Sequence, residues 1–334
     1  MPDVIAIVGP TASGKSEVAE ELAVRLLTSV VSADSMQVYK HMDIGTAKVP
    51  VERRRAPLLC VDLVEPSQTF SVAEYARCAH SAIDEIVDRQ GRIAIVCGGT
   101  GLYMRAALED MSFPEGDQTD NPVREHYQEL AKAIGPDQLH ERLRTVDPDS
   151  ASLIHPNNVR RVIRALELHE QGLSYARNHE TLHDYVNRRP TLIVGLDMPR
   201  ELLYERIDRR VDHMVSSGLV EEVESLMEQG LGETLTSRQA IGYKEIIEAL
   251  RQEGDARSAS EPSESALGRA IDLIKTRSRR YAKRQLTWFR RDPRVQWLPY
   301  DGSSPASLAD EILDIATEHD AALVLGDAGQ AQEE

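Results

Sequence analysis

The sequence predicts an α/β fold, in which a parallel sheet is flanked by helices and interrupted by a helical insertion domain. Short apolar runs end in glycine-containing loops and are followed by segments with helical spacing, an order typical of parallel sheets. Strand-like runs disappear between residues 114 and 189 and return at 191–196. The chain of 334 residues is long enough for one large core domain that carries such an insertion.

The elements of the core domain follow one another along the chain. The first apolar run, 4–8, is continuous and predicts a strand that is covered on both faces. Further strands are predicted at 30–31, 93–97 and 191–196. The apolar residues recur with helical spacing in the segments 17–27, 71–87, 201–218, 219–229 and 265–290. The stretch 254–263 is rich in Ser, Glu and Pro and predicts an exposed loop.

These patterns divide the chain into three parts. Residues 1–113 and 190–300 are predicted to form the core, and residues 114–189 the helical insertion domain, with polar helices at 123–134 and 157–171. The part from 301 to 334 contains nine acidic residues and no Lys or Arg. We predict an acidic tail there, with one helix near 308–316 and a partly disordered end.

Composition excludes several classes of protein. A hydrophobic content of 41% with 28% charged residues is that of an ordinary globular domain, and no apolar run approaches the length of a membrane span. The three cysteines form no Cys-x-x-Cys pair, which argues against a structural zinc site. Without a signal peptide, such sparse cysteines favour a reducing cytoplasm. A monomer is our expectation for the oligomeric state.

The charge distribution is uneven. The whole chain has a formal net charge of −16, which would argue against a nucleic-acid partner. The segment from Arg269 to Arg294, however, contains ten basic residues against two acids. Because binding depends on the local potential, this basic segment makes a nucleic-acid partner possible.

A phosphate-binding loop (P-loop) follows the first strand. The residues match the pattern G-x-x-x-x-G-K-[ST] between a strand and a helix, as in the P-loop NTPase fold. Backbone N–H groups of such a loop cradle phosphate oxygens, the lysine adds a charge and Ser16 is a candidate ligand for Mg²⁺. The residues predicted to bind a diphosphate or nucleotide are Gly9, Pro10, Thr11, Ala12, Ser13, Gly14, Lys15 and Ser16.

Two further loops follow strands of the same sheet, at the edge where α/β proteins bind their ligands. One is Gly98-Gly99-Thr100-Gly101, where many P-loop proteins place a Mg²⁺-binding aspartate. Small residues favour close approach of a substrate over metal ligation, although Asp62 is a possible substitute. The other loop begins with Asp34, followed by Ser35, Met36 and Gln37. Asp34 is either a general base or a structural cap or metal neighbour, and Gln37 offers a donor and an acceptor to a base edge.

Seven sequence motifs together resemble those of one known protein family. They are GPTASGKS, DSMQVY, GTAK (45–48), GGTGLY (98–103), HPNNVRRVIRALE (155–167), AIGYKE (240–245) and YAKRQLTWFR (281–290). In this order they resemble bacterial tRNA dimethylallyltransferases over about residues 4–298. The resemblance implies transfer of a dimethylallyl group from dimethylallyl diphosphate to N6 of the adenosine just 3′ of the tRNA anticodon, position 37.

The resemblance also implies roles for individual residues. Asp34 would accept a proton or hydrogen bond from the N6 amine, the P-loop would hold the diphosphate, and Thr100 and Arg238 would complete the catalytic set. tRNA would be contacted by Asp34, Ser35, Met36, Gln37, Thr100, Arg124, Arg160, Arg161, Val162, Ile163 and Arg164. An enzyme that acts on a base atom must expose that base, and the helical insertion is expected to contact tRNA.

The sequence departs from the family pattern in the insertion and near the metal site. Asn158 stands where an aspartate is usual, no proline follows Gly172, and Arg53–Leu63 replaces the usual His-His-Leu-Ile-Asp run. The alternatives are a P-loop nucleoside or nucleotide kinase that uses ATP, an adenylate isopentenyltransferase that acts on free AMP, and a non-catalytic nucleotide-dependent RNA-binding switch. The insertion and the basic segment favour tRNA over a mononucleotide.

Overall fold

The computed structural model describes residues 1–111, 113, 121–180, 185–231, 239–255 and 266–330. The chain divides into two compact units. The core unit comprises Met1–Met111 and Asn187–Glu334, and the helical unit comprises Ser112–Val186. Most of the loop predicted at 254–263 lies outside the described residues.

The core unit is built on a parallel sheet. Within the described residues the sheet has six strands, in the order β3-β2-β4-β1-β5-β6. Their bounds are β1 Val4–Val8, β2 Val30–Ser32, β3 Leu58–Leu59, β4 Ala94–Gly98, β5 Thr191–Asp197 and β6 Val295–Pro299. All adjacent pairs run parallel, so the loops after β1, β2 and β4 meet at one edge of the sheet. The predicted α/β class is confirmed.

The described helices are numbered in chain order. Before the helical unit lie α1 Lys15–Arg25, α2 Val72–Asp84 and α3 Gly101–Leu108. The helical unit contains α4 Pro122–Ile134, α5 Pro136–Val146, α6 Pro148–Leu153, α7 Val159–Glu170 and α8 Tyr175–Glu180. After it come α9 Arg200–Ser216, α10 Leu219–Glu228, α11 Tyr243–Asp255, α12 Ala266–Phe289 and α13 Pro305–Gln330. No described helix combines the length and apolar character needed to cross a bilayer.

Local signals explain where particular elements begin and end. The α2 helix begins with a capping box, in which Ser71 and Glu74 satisfy each other's backbone N–H groups. β1 is buried at every position, because it lies in the middle of the sheet. The sequence missed α11 and β6, of which β6 is an edge strand with an exposed Gln296.

The helix predicted near 308–316 is present and is longer than predicted. The chain from Pro305 to Gln330 is one helix, and four of its small or apolar residues are buried in the core that also contains Leu22 of α1. These residues recur at helical spacing and are Leu308, Ala309, Ile312 and Ala316. Burying a Leu or Ile side chain contributes about 1.5–3 kcal/mol, which explains why this acidic segment folds onto the core. Residues 331–334 lie outside the described residues.

The helical unit has a hydrophobic core of its own. Leu139 and Leu143 of α5 and Val162 and Leu166 of α7 are almost fully buried in it. The sequence predicted two helices here, and the structure adds α5, α6 and α8. Each of α4, α5 and α6 begins with a proline at its first turn, a position where proline is favoured because the N–H is not needed.

Candidate active site

The P-loop connects β1 to α1 as predicted. Gly14 takes a left-handed conformation, with φ 89°, and α1 begins at Lys15. The Lys15 ammonium donates to the carbonyl of Pro10 at 3.2 Å, so the side chain lies back over the loop. Burial lowers the pKa of Lys15, because a buried site disfavours the charged form of the amine.

A cavity of about 520 Å³ lies over this loop. We call it the P-loop cavity. Ala12, Gly14, Lys15 and Ser16 form one wall, and Val30, Val49 and Leu58 add apolar surface. Four arginines complete the lining, against two acids, Glu17 and Glu20; the arginines are Arg54, Arg206, Arg209 and Arg210. The cavity is therefore positive although the chain as a whole is strongly negative, and it suits a polyanion with a small apolar part.

Arg210 is the residue of this cavity that the sequence did not single out. It lies one turn after Arg206 on α9, and Arg206 is held by donation to the carbonyl of Ala12 at 2.9 Å. Burial lowers the pKa of Arg210, while the charges of Asp34 and Glu17 oppose that change. Among the described residues Arg210 has no hydrogen-bonded or ion-paired partner. Arg210 is half-buried and lines the P-loop cavity, so its charge is available to an anion that binds there. The spacing of Arg206 and Arg210, four residues apart, was the available signal.

Asp34 follows β2 at the same edge of the sheet as the P-loop, but it is not among the residues that line the P-loop cavity. Its Oδ1 accepts from the Met36 N–H at 2.9 Å, and this bond fixes the orientation of the carboxylate. Its negative charge acts on Lys15 and Arg210 and on the hydroxyls of Tyr103 and Tyr281. The predicted acid thus lies beside the cations that would bind a polyphosphate.

Thr100 joins the third loop to the turn that begins at Asp34. Its Oγ1 accepts from the Ser35 N–H at 3.1 Å, and its own N–H donates to the carbonyl of Ala33 at 3.3 Å. The structure therefore brings Asp34, Ser35 and Thr100 together. Arg238, the remaining predicted catalytic residue, lies outside the described residues.

The glycines around Thr100 leave space for α12. A Cβ atom on Gly99 would lie 2.2 Å from Nε2 of Gln285, and one on Gly101 would lie 2.1 Å from Nε1 of Trp288. A side chain at either position would have to displace the side chain that packs there, which favours glycine at both positions. The side chains of Gln285 and Trp288 pack against these glycines, and the expectation that the small residues allow close approach of a substrate stays a prediction.

Four predicted P-loop residues do not line the P-loop cavity. The N–H of Thr11 donates to Oε1 of Gln285 at 2.9 Å, and the side chain of Ser13 is fully buried. Gly9 and Pro10 also lie behind the lining. The members of the predicted diphosphate set that line the P-loop cavity are Ala12, Gly14, Lys15 and Ser16.

Gln37 reaches the same cavity with its amide already oriented. Its Oε1 accepts from the Ser32 hydroxyl at 2.8 Å, and its Nε2 donates to the carbonyl of Thr46 at 3.3 Å. One N–H and one lone pair of the amide remain for a ligand. The loop that contains Thr46 is fixed by Glu222, whose carboxylate accepts from the N–H groups of residues 43–45 and from the hydroxyl of Tyr243.

Only some of the residues of α4 and α7 that were predicted to contact tRNA have exposed, unpaired side chains. Arg124 and Arg164 both pair with the buried Glu167, at 2.5 and 3.0 Å, which neutralises much of their charge. Val162 and Ile163 are buried in the core of the helical unit, so the prediction that they contact RNA is wrong for their side chains. The exposed cations of this set are Arg160 and Arg161.

Half of the basic segment 269–294 is committed to ion pairs within the core unit. Paired side chains include Arg277 with Glu245 at 2.5 Å, and Arg279 with Asp208 at 2.6 Å. Lys275, Arg290 and Arg294 also have carboxylate partners. Exposed cations for which the described residues offer no ion pair are Arg280, Lys283, Arg284 and Arg291. The charge available to a partner is therefore smaller than the sequence suggested.

Comparisons with known proteins found similar sequences and similar solved structures. Family models described as IPP transferase and isopentenyl transferase match residues 37–292 and 2–56. The tRNA dimethylallyltransferase of Oceanobacillus iheyensis is 43% identical over 90% of this chain and 92% of its own. The crystal structure of the Bacillus halodurans tRNA isopentenylpyrophosphate transferase is 40% identical, with a TM-score of 0.67 over 97% of this chain and 99% of that one. A eukaryotic dimethylallyltransferase acting on tRNA is 30% identical, with a TM-score of 0.71 over 89% of this chain and 73% of that one.

Proposed function

The chain belongs to the IPP transferase family, and from that premise we propose how its P-loop cavity works as a tRNA dimethylallyltransferase site. The enzyme transfers a dimethylallyl group from dimethylallyl diphosphate to N6 of the adenosine next to the tRNA anticodon, and it releases diphosphate. The observation that supports this chemistry best is the position of Asp34, which follows β2 at the sheet edge where the P-loop follows β1 and begins the turn that is bonded to Thr100. A proton acceptor thus lies beside the groups that hold the leaving group.

The reaction follows from that arrangement. The lone pair of N6 attacks C1 of the dimethylallyl group, the C1–O bond breaks, and its electrons leave with the diphosphate. Lys15 and Arg210 stabilise the charge that develops on the leaving oxygen, and Asp34 accepts the proton that N6 loses. Thr100, bonded to Ser35, keeps the acceptor turn in place, and Gln37 has a donor and an acceptor left for the adenine edge.

The donors at the P-loop fit a magnesium ion that arrives with the diphosphate. The described residues contain no group of three or more His, Cys, Asp or Glu side chains suited to a metal. Mg²⁺ in phosphate sites is commonly held by few protein groups together with substrate oxygens and water. We propose that Ser16, which lines the P-loop cavity, supplies one oxygen. The bound ion would neutralise charge on the diphosphate.

A direct assay separates this function from its alternatives. Purified protein is incubated with dimethylallyl diphosphate and unmodified tRNA, and the digested nucleosides are weighed by mass spectrometry. We expect one adenosine to gain the mass of a dimethylallyl group less one hydrogen. Phosphorylated products from Mg-ATP and a panel of nucleosides would instead indicate a kinase, and prenylation of free AMP in preference to tRNA would indicate an adenylate isopentenyltransferase.

Replacing Arg210 by Ala is expected to lower kcat/KM for dimethylallyl diphosphate by roughly 10²-fold or more, the typical effect of losing one donor to a developing anion. Arg210→Lys keeps the charge and loses the planar pair of donors, so its defect should be smaller. Steady-state kinetics with tRNA saturating measures both variants. Arg89→Ala removes an exposed arginine that pairs within its own helical segment and is the matched control. Equal activity of Arg210→Ala and this control would remove Arg210 from the site.

Charge reversal at Arg160 and Arg161 together is expected to weaken tRNA binding by about tenfold or more, with little change in the rate at saturating tRNA. The slope of log Kd against log salt should fall by about 0.7–0.9 for each phosphate that the variant no longer neutralises. Filter binding or fluorescence anisotropy between low and high salt measures both quantities. Arg144→Glu, on α5 of the same unit and paired with Glu141, is the control. An unchanged salt slope in the double variant would place tRNA phosphates elsewhere.

A further inference from the structure

We propose that Gln285 is a positioning residue that couples the diphosphate loop to the acceptor turn, an inference that rests on the proposed function. Gln285 lies on α12 and is 6% exposed. Its Oε1 accepts from the N–H of Thr11 at 2.9 Å, and its Nε2 donates to the carbonyl of Gly99 at 2.9 Å. One side-chain amide therefore connects the loop after β1 with the loop after β4.

Each loop bonded to Gln285 continues directly into the reaction machinery. Thr11 precedes Ala12, which lines the P-loop cavity. Gly99 precedes Thr100, whose Oγ1 accepts from the N–H of Ser35, next to Asp34. A continuous path of covalent and hydrogen bonds thus runs from the leaving-group cradle to the proton acceptor, and the amide of Gln285 is its middle link.

Both ends of the Gln285 side-chain amide are hydrogen-bonded, which fixes its orientation. The Nε2 atom occupies the space where a Cβ of residue 99 would lie, at 2.2 Å, so the glycine and the glutamine fit each other. Both bonds are made by a buried side chain, and leaving either backbone group without a partner would be costly. A buried polar group that is satisfied at both ends fixes geometry more firmly than apolar packing does.

Tyr281 supports the same path from one turn earlier on α12. Burial raises the pKa of Tyr281 to about 12, the charge of Asp34 adds to that rise, and polar contacts with Thr100 and Gln285 oppose it. The face of α12 that carries Tyr281 and Gln285 holds the two loops as a unit.

This arrangement matters because displacement at C1 requires the amine and the departing oxygen to be nearly in line. A misplacement of about 1 Å can reduce a rate by roughly 10²-fold. By holding the two loops at a fixed separation, Gln285 sets the distance between the bound diphosphate and the adenine amine. Occupation of one loop should then favour the bound arrangement of the other, so the two substrates should bind cooperatively.

The test uses the full-length protein with Gln285→Ala and Gln285→Glu. Gln285→Glu keeps an acceptor for the Thr11 N–H but has no donor for the Gly99 carbonyl. Single-turnover rates with both substrates saturating are expected to fall about 100-fold in each variant. Affinity for a non-transferable thiolodiphosphate analogue, measured without tRNA, should change by less than about fivefold in Gln285→Glu. In the wild type tRNA should tighten binding of the analogue, and in both variants this effect should disappear.

Several controls keep these results interpretable. Gln229→Ala removes a glutamine amide that bonds only to Ser225 of its own helix and should behave as the wild type. Thermal unfolding reports whether each variant is folded, and Tyr281→Phe tests the same path with less risk to folding, with an expected rate loss of several-fold or more. Wild-type rates and wild-type coupling in folded Gln285→Ala would overturn the inference. If the wild-type protein itself transferred no dimethylallyl group to tRNA, that result would instead contradict the proposed function.

Discussion

Replacing Asp34 by Asn is expected to slow dimethylallyl transfer by about 10²–10⁴-fold, the usual contribution of a general base, with the affinity for tRNA nearly unchanged. Asn keeps the size of the side chain and a carbonyl oxygen that can still accept from the Met36 N–H. What it loses is the ability to take a proton from N6. Quenched-flow measurement of product at saturating substrates reports the rate, and filter binding reports the affinity for tRNA.

The control for Asp34→Asn is the same change at Asp314, an exposed residue of α13, which should retain wild-type rates. Asp34→Ala is expected to be at least as slow as Asp34→Asn, because it also removes the bond that holds the turn. Full activity of Asp34→Asn would show that N6 loses its proton to another group. A large loss of tRNA affinity without a loss of rate would make Asp34 a binding residue.

Replacing Lys15 by Ala should lower kcat/KM for dimethylallyl diphosphate by about 10²–10³-fold, because a cation that stabilises the leaving oxygen is removed. The effect should exceed that of removing an ordinary surface lysine, because Lys15 belongs to the positive lining of the P-loop cavity, which attracts the diphosphate. The ammonium of Lys15 is oriented by its hydrogen bond to the Pro10 carbonyl. Direct binding of the thiolodiphosphate analogue by calorimetry, together with the transfer rate, separates a loss of affinity from a loss of catalysis.

Lys132→Ala is the matched control for Lys15, because Lys132 is exposed and pairs only with Glu129 three residues away. Its kinetics for dimethylallyl diphosphate should be those of the wild type. If Lys15→Ala bound the analogue normally and transferred the dimethylallyl group at the normal rate, the diphosphate would have to lie outside the P-loop cavity. That result would also contradict the role given to Arg210.

Local patterns in the sequence were sufficient to predict those elements whose characteristic residues are adjacent in the chain. The apolar run 4–8, the P-loop and the segment around Asp34 each combine a strand with a loop of definite composition, and their chemistry follows from adjacent residues. Parallel strands bring such loops to one edge whatever the rest of the chain does. The α/β class, the P-loop and the meeting of Asp34 with Thr100 were therefore within reach of the sequence.

Interactions between distant residues decided the rest. Arg210 and Gln285 come from α9 and α12, and neither stands in a pattern that shows which loop it will meet. The charges of the basic segment 269–294 looked free in the sequence, but acids such as Glu245 and Asp208 neutralise several of them. Val162 and Ile163 belong to a motif rich in arginine, yet they are core residues. The sequence alone determined which chemical groups this protein has and which loops carry them. Only the tertiary structure decided which of those groups face a ligand and which face each other, because pairing and burial depend on residues far apart in the chain.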